Sequence, residues 1–311
     1  MRYVGSTYVR AHYGRSMNEV RDRVAFVSGG SSGIGLGIAQ AFVEAGMKVV
    51  IGYRTAEHLA NAKSCLAEAG DRIHAIRVDV TNRSEVEAAA LETRERFGKV
   101  HVLVGNAGVG VLSPLSSTTY GDWDWTIGVN LNGVFNCVHA FLPYIRENDD
   151  GGHVVAVSSM GGLYAAGTVG AYTTTKFAVV GMMETLRAEL AQTNVGVSVC
   201  CPGLVSSNIV TSERNRPGAL NKPGPLADHS GWDALREQMN NPELSMSPQE
   251  VGSLVLSGVR RNDLYILTHP EYEELIRARH AAIVASFPRD LQVTKARTEI
   301  LRAVFESSIY R

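Results

Sequence analysis

The chain has 311 residues, enough for one large domain or two small ones around a substantial buried core. Its 30 basic and 31 acidic side chains are well mixed and leave a formal net charge of -1, which argues against nucleic-acid partners and against a polybasic membrane patch. Apolar runs fall short of a membrane span, and Cys65, Cys137, Cys200 and Cys201 show no CxxC spacing or disulfide framework, so a reducing cytoplasm is expected.

Residues 1–20 carry several arginines and a single acid but lack the apolar core of a secretion signal. They are expected to form a poorly ordered N-terminal extension, with Met17 a candidate true start and a transit peptide the alternative. From Arg23 the pattern becomes regular. "RVAFVSGG" predicts a strand ending in glycines, and "IGLGIAQAFVEAG" has helical spacing and stops at a glycine. "KVVIGYR" predicts the second strand, "AEHLANAKSCLAEAG" a helix, "IHAIRVDV" the third strand and "SEVEAAALETRERFG" a helix with solvated charges. "VHVLVGNAG", "GGHVVAVSS", "GVSVCCPG" and "DLYILT" continue the strand series. Alternation of this kind predicts an α/β domain over 21–268, a parallel sheet of about seven strands with helices on both faces and right-handed crossovers. The adjacent Cys200 and Cys201 fall at a strand end and read as buried free thiols.

Residues 206–248 break the rhythm. They are rich in Pro, Asn and Gly with weak periodicity, as expected of a substrate lid inserted after a strand's C-terminal end. Residues 269–311 predict a helical C-terminal extension. Tyr272, Leu275, Ile276, Ile283 and Phe287 stand at helical intervals, Pro288 ends that helix, and "TEILRAVF" suggests another.

"SGGSSGIGLG" lies between the first strand and the first helix, with the spacing Gly29-x-x-x-Gly33-x-Gly35. A glycine turn there lets backbone N–H groups approach a pyrophosphate at a helix N-terminus, where the dipole favours negative charge. Gly29, Ser31, Ser32, Gly33, Ile34 and Gly35 are the candidate contacts; a tight strand-to-helix joint with no ligand is the other reading. Dinucleotide enzymes place a discriminating group after the second strand, where an acid would bind the ribose hydroxyls of NAD. Here Tyr53 stands in the acid's place and Arg54 follows it. A guanidinium fork suits a 2′-phosphate, so NADP(H) is favoured with NAD(H) the alternative; the plainer reading of Arg54 is a solvated surface arginine.

At this point the sequence resembles the short-chain dehydrogenase/reductase family in its short single-domain branch, from about Arg23 to Thr268. "SGGSSGIG" is similar to the family's TGxxxGxG, with Ser28 for threonine. Asp79 and Val80 match its adenine-contacting pair, and Asn106, Ala107 and Gly108 match NNAG, with Gly105 for the first asparagine. "VNLNG" supplies Asn130, "VSSMGG" supplies Ser159, and "YTTTK" supplies Tyr172 and Lys176. "PGLVSS" resembles the nicotinamide-contacting PGxxxT through Pro202, Gly203, Val205 and Ser207, the last in place of threonine. The resemblance implies a Rossmann-like doubly wound sheet and a homodimer or homotetramer built from the helices of Asn130 and Tyr172.

Tyr172 and Lys176 fall one helical turn apart, on three threonines that are poor helix formers. A free phenol has a pKa of ~10, too high for proton exchange at neutral pH, and a lysine cation nearby is expected to lower it. The resemblance implies that Tyr172 is the general acid/base, that Lys176 also binds the nicotinamide ribose, and that Asn130 holds a water of a proton relay. Ser159, thirteen residues before the tyrosine, is chosen over Ser158 to bond the reacting oxygen. The expected activity is an NADP(H)-preferring oxidoreductase interconverting a ketone and a secondary alcohol, with a small-molecule carbonyl or alcohol as partner.

"TTYGDWDWTIGVNLNG", "GGHVVAVSSMGG", the "NRP" of the lid and "LYILTHPEYEEL" resemble a narrower group, bacterial Cα-dehydrogenases of lignin-derived aryl ethers. That implies the alternative of an NAD-dependent benzylic alcohol dehydrogenase, with Phe135, Leu163 and Tyr164 as candidate pocket walls that core packing would explain equally well. A non-catalytic dinucleotide-binding regulator is a further alternative. A lyase or dehalogenase is disfavoured by the glycine turn and Lys176, and a sugar-nucleotide epimerase by the short C-terminal part.

Overall fold

The structure is a computed structural model describing residues 17–220, 230–305 and 307–310. Seven strands form one sheet: β1 (Val24–Val27), β2 (Lys48–Tyr53), β3 (Ile73–Arg77), β4 (Val102–Gly105), β5 (Gly152–Val157), β6 (Val195–Cys201) and β7 (Tyr265–Leu267). Their order is β3-β2-β1-β4-β5-β6-β7, and every neighbouring pair is parallel. This is the Rossmann-like, doubly wound sheet expected from the sequence. Strands β1, β4, β5 and β6 are buried along their whole length, because helices cover both faces; hence their mostly apolar composition, interrupted by His153 and Ser198, which bond each other.

One face carries α3 (Arg83–Phe97), α5 (Gly133–Arg146) and α6 (Gly170–Glu189), whose Phe141 and Met183 join Phe26 and Leu103 of the sheet in one core cluster. The opposite face carries α1 (Gly33–Glu44) and α8 (Pro248–Arg261), packed on Val27, Ile51 and Val155. α1 and α8 cross at Gly37 and Gly252. A Cβ on Gly37 would overlap the Pro248 carbonyl, and one on Gly252 would overlap the Gly37 carbonyl. α8 starts at a capping box of Ser247 and Glu250 with Pro248 in its first turn. The chain reverses winding direction between β1 and β4, so a crevice opens over the C-terminal strand ends there.

Of the expected N-terminal extension, residues 1–16 lie outside the described residues. Met17 and Val20 are buried in the core on the α1 side, so apolar packing extends ahead of Arg21. The lid expected over 206–248 includes α7 (Ser230–Asn240), which its polar composition hid; residues 221–229 lie outside the described residues. The C-terminal extension contains α9 (Glu273–Ala285) and α10 (Lys295–Ile300). Tyr272 and Ile276 reach the core, but Leu275, Ile283 and Phe287 are exposed. The extension returns to α6, where the hydroxyls of Tyr265 and Tyr310 donate to the two oxygens of Glu184, at 2.5 and 2.9 Å. Cys200 and Cys201 are buried and unpaired as disulfides. Among the described residues no helix is long and apolar enough to cross a membrane, and no cluster of His, Cys, Asp or Glu is placed to hold a metal ion.

Two histidines are buried at the N-terminal side of the sheet. Burial lowers the pKa of His101 to about 4 and, with the Arg187 charge, that of His153 to about 3. His153 Nε2 bonds Ser198 Oγ at 2.8 Å, while its Nδ1 has no hydrogen-bond partner to receive a second proton. In the unfolded chain both rings titrate near 6.5, so that state binds more protons below this pH. The stability held above pH ~6.5 is therefore lost as pH falls toward the folded-state values, up to about 5 kcal/mol for His153. Denaturant midpoints measured from pH 7 down to pH 4 should drop steeply. A flat profile over that range would contradict the assignment of neutral, buried rings.

Candidate active site

A cleft of about 320 Å³ lies over the C-terminal ends of β1, β2, β4, β5 and β6. The turn after β1 forms its floor, with Gly29, Ser31, Ser32, Gly33 and Ile34 on the wall. Gly29 and Gly33 have φ of 63° and 51°, the left-handed region that favours glycine. A Cβ on Gly33 would lie 3.1 Å from Ser207 Cβ, so the turn and the segment after β6 are in close register. Gly35, expected as a phosphate contact, does not line the cleft. It lies beneath the turn, where a Cβ would strike the Gly29 carbonyl and Asn106 Nδ2; its role is to let the turn close over the helix.

Tyr53, Arg54, Asp79 and Val80 line one end of the cleft. Arg54 is 40% exposed with its Nε 3.7 Å from Asp79, a weak pair that leaves the guanidinium available to an anion. Arg214 and His58 line the same end and were not singled out from the sequence. Arg214 belongs to a lid segment without clear period, and its placement beside α2 (Ala56–Cys65) depends on how the lid folds back.

Asn106, Ala107 and Gly108, after β4, form the middle of the wall. Ser28 Oγ accepts the N–H of Asn106 at 2.9 Å and of Ala107 at 3.1 Å, so the serine in the usual threonine position does hold this segment. Pro202, Gly203, Val205 and Ser207 line the wall after β6.

Ser159, Tyr172 and Lys176 meet at this cleft. Ser158, the rejected rival, donates to the Lys176 carbonyl at 2.8 Å and holds β5 to α6. Ser159 Oγ instead bonds Tyr172 and lies 3.4 Å from the Pro202 carbonyl. Lys176 is buried and donates to the Val157 carbonyl at 2.9 Å, with Nζ 5.5 Å from the Tyr172 ring centre. Burial lowers its pKa to about 8. Burial also raises that of Tyr172, with the Ser159 bond pulling the other way. The expected lowering by Lys176 is thus not seen, because desolvation of the phenol outweighs an ammonium held on another partner. Tyr172 is accordingly a protonated acid at neutral pH.

The threonines between them also have places. Thr174 and Thr175 turn their hydroxyls back onto the carbonyls of Gly170 and Tyr172, at 2.9 and 2.7 Å, and Thr173 and Thr175 are buried. Asn130 is fully buried and does not line the cleft. Its amide spans Val109, accepting from N–H at 2.8 Å and donating to C=O at 2.9 Å, and it also reaches Thr175 Oγ1. Its side chain therefore joins the Val109 main chain to Thr175 of α6. It sits in a π turn, Gly128–Asn132, between α4 (Tyr120–Ile127) and α5.

The upper wall is apolar, with Val111, Leu112, Val169, Ile209, Leu235 and Met239. Phe135, Leu163 and Tyr164 are not part of it. Phe135 stacks on His139 at the surface and Leu163 packs on the core. The lid is fastened beside this wall by Arg216, which pairs with Asp122 at 2.6 Å and Glu213 at 2.7 Å and lies over the Trp125 ring.

A cleft at the switch point of a parallel α/β sheet, with a tyrosine and a lysine one turn apart on its wall, defines a class of dinucleotide enzymes. Residues 23–218 match the short chain dehydrogenase family, and the chain belongs to it and is an oxidoreductase. It is 35% identical to the C alpha-dehydrogenase of Sphingobium sp., over 92% of this chain and 94% of that one. A short chain dehydrogenase/reductase from Burkholderia phymatum, solved in complex with NAD, superposes with a TM-score of 0.82 at 32% identity, covering 89% of this chain and 99% of that one. LigO from Sphingobium sp., solved in its apo form, gives a TM-score of 0.72 at 33% identity, over 92% and 97% of the two chains.

Proposed function

We propose that the protein interconverts a ketone and a secondary alcohol with a preference for NADP(H). The observation that carries this reading is the meeting of Tyr172, Lys176 and Ser159 on the wall of the glycine-turn cleft. Gly29, Ser31, Ser32, Gly33 and Ile34 fit a pyrophosphate, since the left-handed glycines leave a backbone cradle that a Cβ would fill. Asp79 and Val80 would hold the adenine, Asn106 to Gly108 the middle of the dinucleotide, and Pro202, Gly203, Val205 and Ser207 the nicotinamide. When bound, the nicotinamide supplies the hydride acceptor or donor. Ser159 orients the substrate oxygen and stabilises its developing charge. Tyr172 gives that oxygen its proton in reduction and takes it in oxidation. Lys176 binds the nicotinamide ribose and, when charged, stabilises the phenolate. The Asn130 side chain fixes Val109, and the main chain of its π turn is the candidate holder of a relay water.

Arg54 supports NADP(H), aided by Arg214 and His58 at the same end. A second reading, NAD-dependent oxidation of a benzylic secondary alcohol, is favoured by the C alpha-dehydrogenase relative and by the apolar upper wall. A panel of aryl and alkyl ketones and alcohols, read by nicotinamide absorbance with both cofactors, separates the two. The expected result is at least about tenfold higher kcat/KM with NADPH, levelled in Arg54→Ala by loss of about 1–2 kcal/mol of charge-assisted bonding. A preference for NADH in the parent would overturn the cofactor assignment. A homodimer or homotetramer using α5 and α6 belongs to the same proposal, supported by the half-buried Phe177 and Ala178 of α6.

A further inference from the structure

Strands β6 and β7 end in register, Cys201 beside Leu267, so the segments that follow leave the sheet side by side. Pro202, Gly203, Leu204 and Val205 continue from β6 along the cleft wall. Thr268 and His269 continue from β7 behind them, and His269 is not on the wall.

The His269 ring spans the turn. Its Nδ1 accepts the Gly203 N–H at 3.1 Å, and its Nε2 donates to the Leu204 carbonyl at 3.0 Å. These partners assign the neutral tautomer with its proton on Nε2. The Thr268 hydroxyl, 2.6 Å from Nδ1, donates to the same acceptor. The ring lies flush on the turn: a Cβ on Gly203 would come 2.7 Å from His269 Cγ. Glycine is needed here because the imidazole occupies the side-chain space. On its far side His269 meets Tyr272 edge-on, with ring centres 6.3 Å apart. Tyr272 in turn packs on the core.

The other side of the turn is held by the segment of Ser159. The Pro202 carbonyl accepts the Met160 N–H at 2.8 Å and lies 3.4 Å from Ser159 Oγ. Three consecutive residues are thus pinned between the reacting-oxygen serine and a histidine from the start of the C-terminal extension.

We propose that His269 is a positioning residue, which fixes the Pro202–Leu204 main chain so that the cleft wall beside Ser159 and Tyr172 keeps one shape. The proposal rests on the dinucleotide reading above, in which this wall takes the nicotinamide half. Its consequence is that His269 governs the nicotinamide end of binding and leaves the adenosine end, built by β1, β2 and β3, untouched.

The test compares NADP⁺ with 2′-phospho-ADP-ribose, which lacks the nicotinamide, by titration calorimetry on the full chain. His269→Leu is expected to weaken NADP⁺ binding about tenfold, as loss of two backbone bonds implies, and the fragment by less than about twofold. His269→Gln carries an amide oxygen and nitrogen about as far apart as the two ring nitrogens and should recover most of the difference. kcat for the parent's best substrate should fall in the leucine variant and return in the glutamine one. Equal weakening of both ligands, or of neither, overturns the proposal. If His269→Leu does not fold, as judged by loss of fragment binding and of the unfolding transition, His269→Asn replaces it. Asparagine is too short to reach both partners, and an unchanged ratio of the two affinities in that variant also overturns the proposal. A parent that binds neither ligand is titrated with NAD⁺ and ADP-ribose in their place: binding of none of the four removes the dinucleotide reading and this inference with it, and binding of either pair isolates the role of His269.

Discussion

Tyr172→Phe is expected to lower turnover by about 10²–10⁴-fold while cofactor affinity stays within about twofold, because general acid–base catalysis contributes rate and not ground-state binding. The ring keeps its place in α6 and its contact with Lys176, since the substitution removes a single oxygen. Lost with that oxygen are its bond with Ser159 and the proton that the proposed mechanism gives to the reacting oxygen. The phenol's pKa is raised by burial, so the parent holds this proton at neutral pH. Carbonyl reduction starts from that protonated form, whereas alcohol oxidation needs the phenolate and should speed up as pH rises. Lys176, at about 8, loses its charge over the same region, which limits how long that rise continues. Steady-state kinetics in both directions, with calorimetric titration of the cofactor, reads all of this. Unchanged turnover in the phenylalanine variant would sink the mechanism.

Gly252→Val is expected to cost at least about 3 kcal/mol of stability, the upper range of overpacking effects. At this crossing α8 meets α1 backbone to backbone, and a Cβ on Gly252 would overlap the Gly37 carbonyl. No flexible side chain is present to yield, so the helices must part. Val251, Val255 and Val259 of α8 would then lose their packing on the β1 side of the sheet. The change would reach the cleft too, because α1 begins at the glycine turn that forms its floor. Gly181 provides the contrast. It is a helical glycine of α6 with open space in its own chain where a Cβ would point, so Gly181→Ala should leave the stability of the chain's fold unchanged or raise it by up to about 1 kcal/mol, any loss being confined to assembly through α6. Urea unfolding of the two variants beside the parent checks both, and an unchanged midpoint for Gly252→Val would refute the crossing.

Much of the site was legible because its parts are local. Gly29 and Gly33 announce a turn that needs left-handed backbone, and the four-residue spacing of Tyr172 and Lys176 survives any tertiary arrangement that keeps α6 helical. Alternation at a strand end separates Ser159 from Ser158 without choosing between them; the choice of Ser159 rests on the family spacing to Tyr172, and Ser158 goes to the Lys176 carbonyl. The same local reasoning does not reach the places of Gly35, beneath the turn, and of the Asn130 side chain, on Val109. Each belongs to a motif, but which member of a motif faces the cleft depends on what packs behind it. Phe135 was misread for a related reason: helical period gives its face on α5 without saying whether that face meets the cleft or the surface.

By itself the sequence determined the alternation of strand and helix, the parallel sheet, the glycine turn and the chemical identity of the Tyr172–Lys176 pair. These depend on periodicity, backbone sterics and residue type, which act over one or two turns of chain. Tertiary structure decided that Arg214 joins Arg54, that His269 backs the Pro202–Leu204 turn, and that burial raises the Tyr172 pKa while lowering that of Lys176. Each of these arises where segments far apart in sequence are brought together and water is excluded. Desolvation and long-range hydrogen bonding are properties of that shared environment, and no local pattern encodes them.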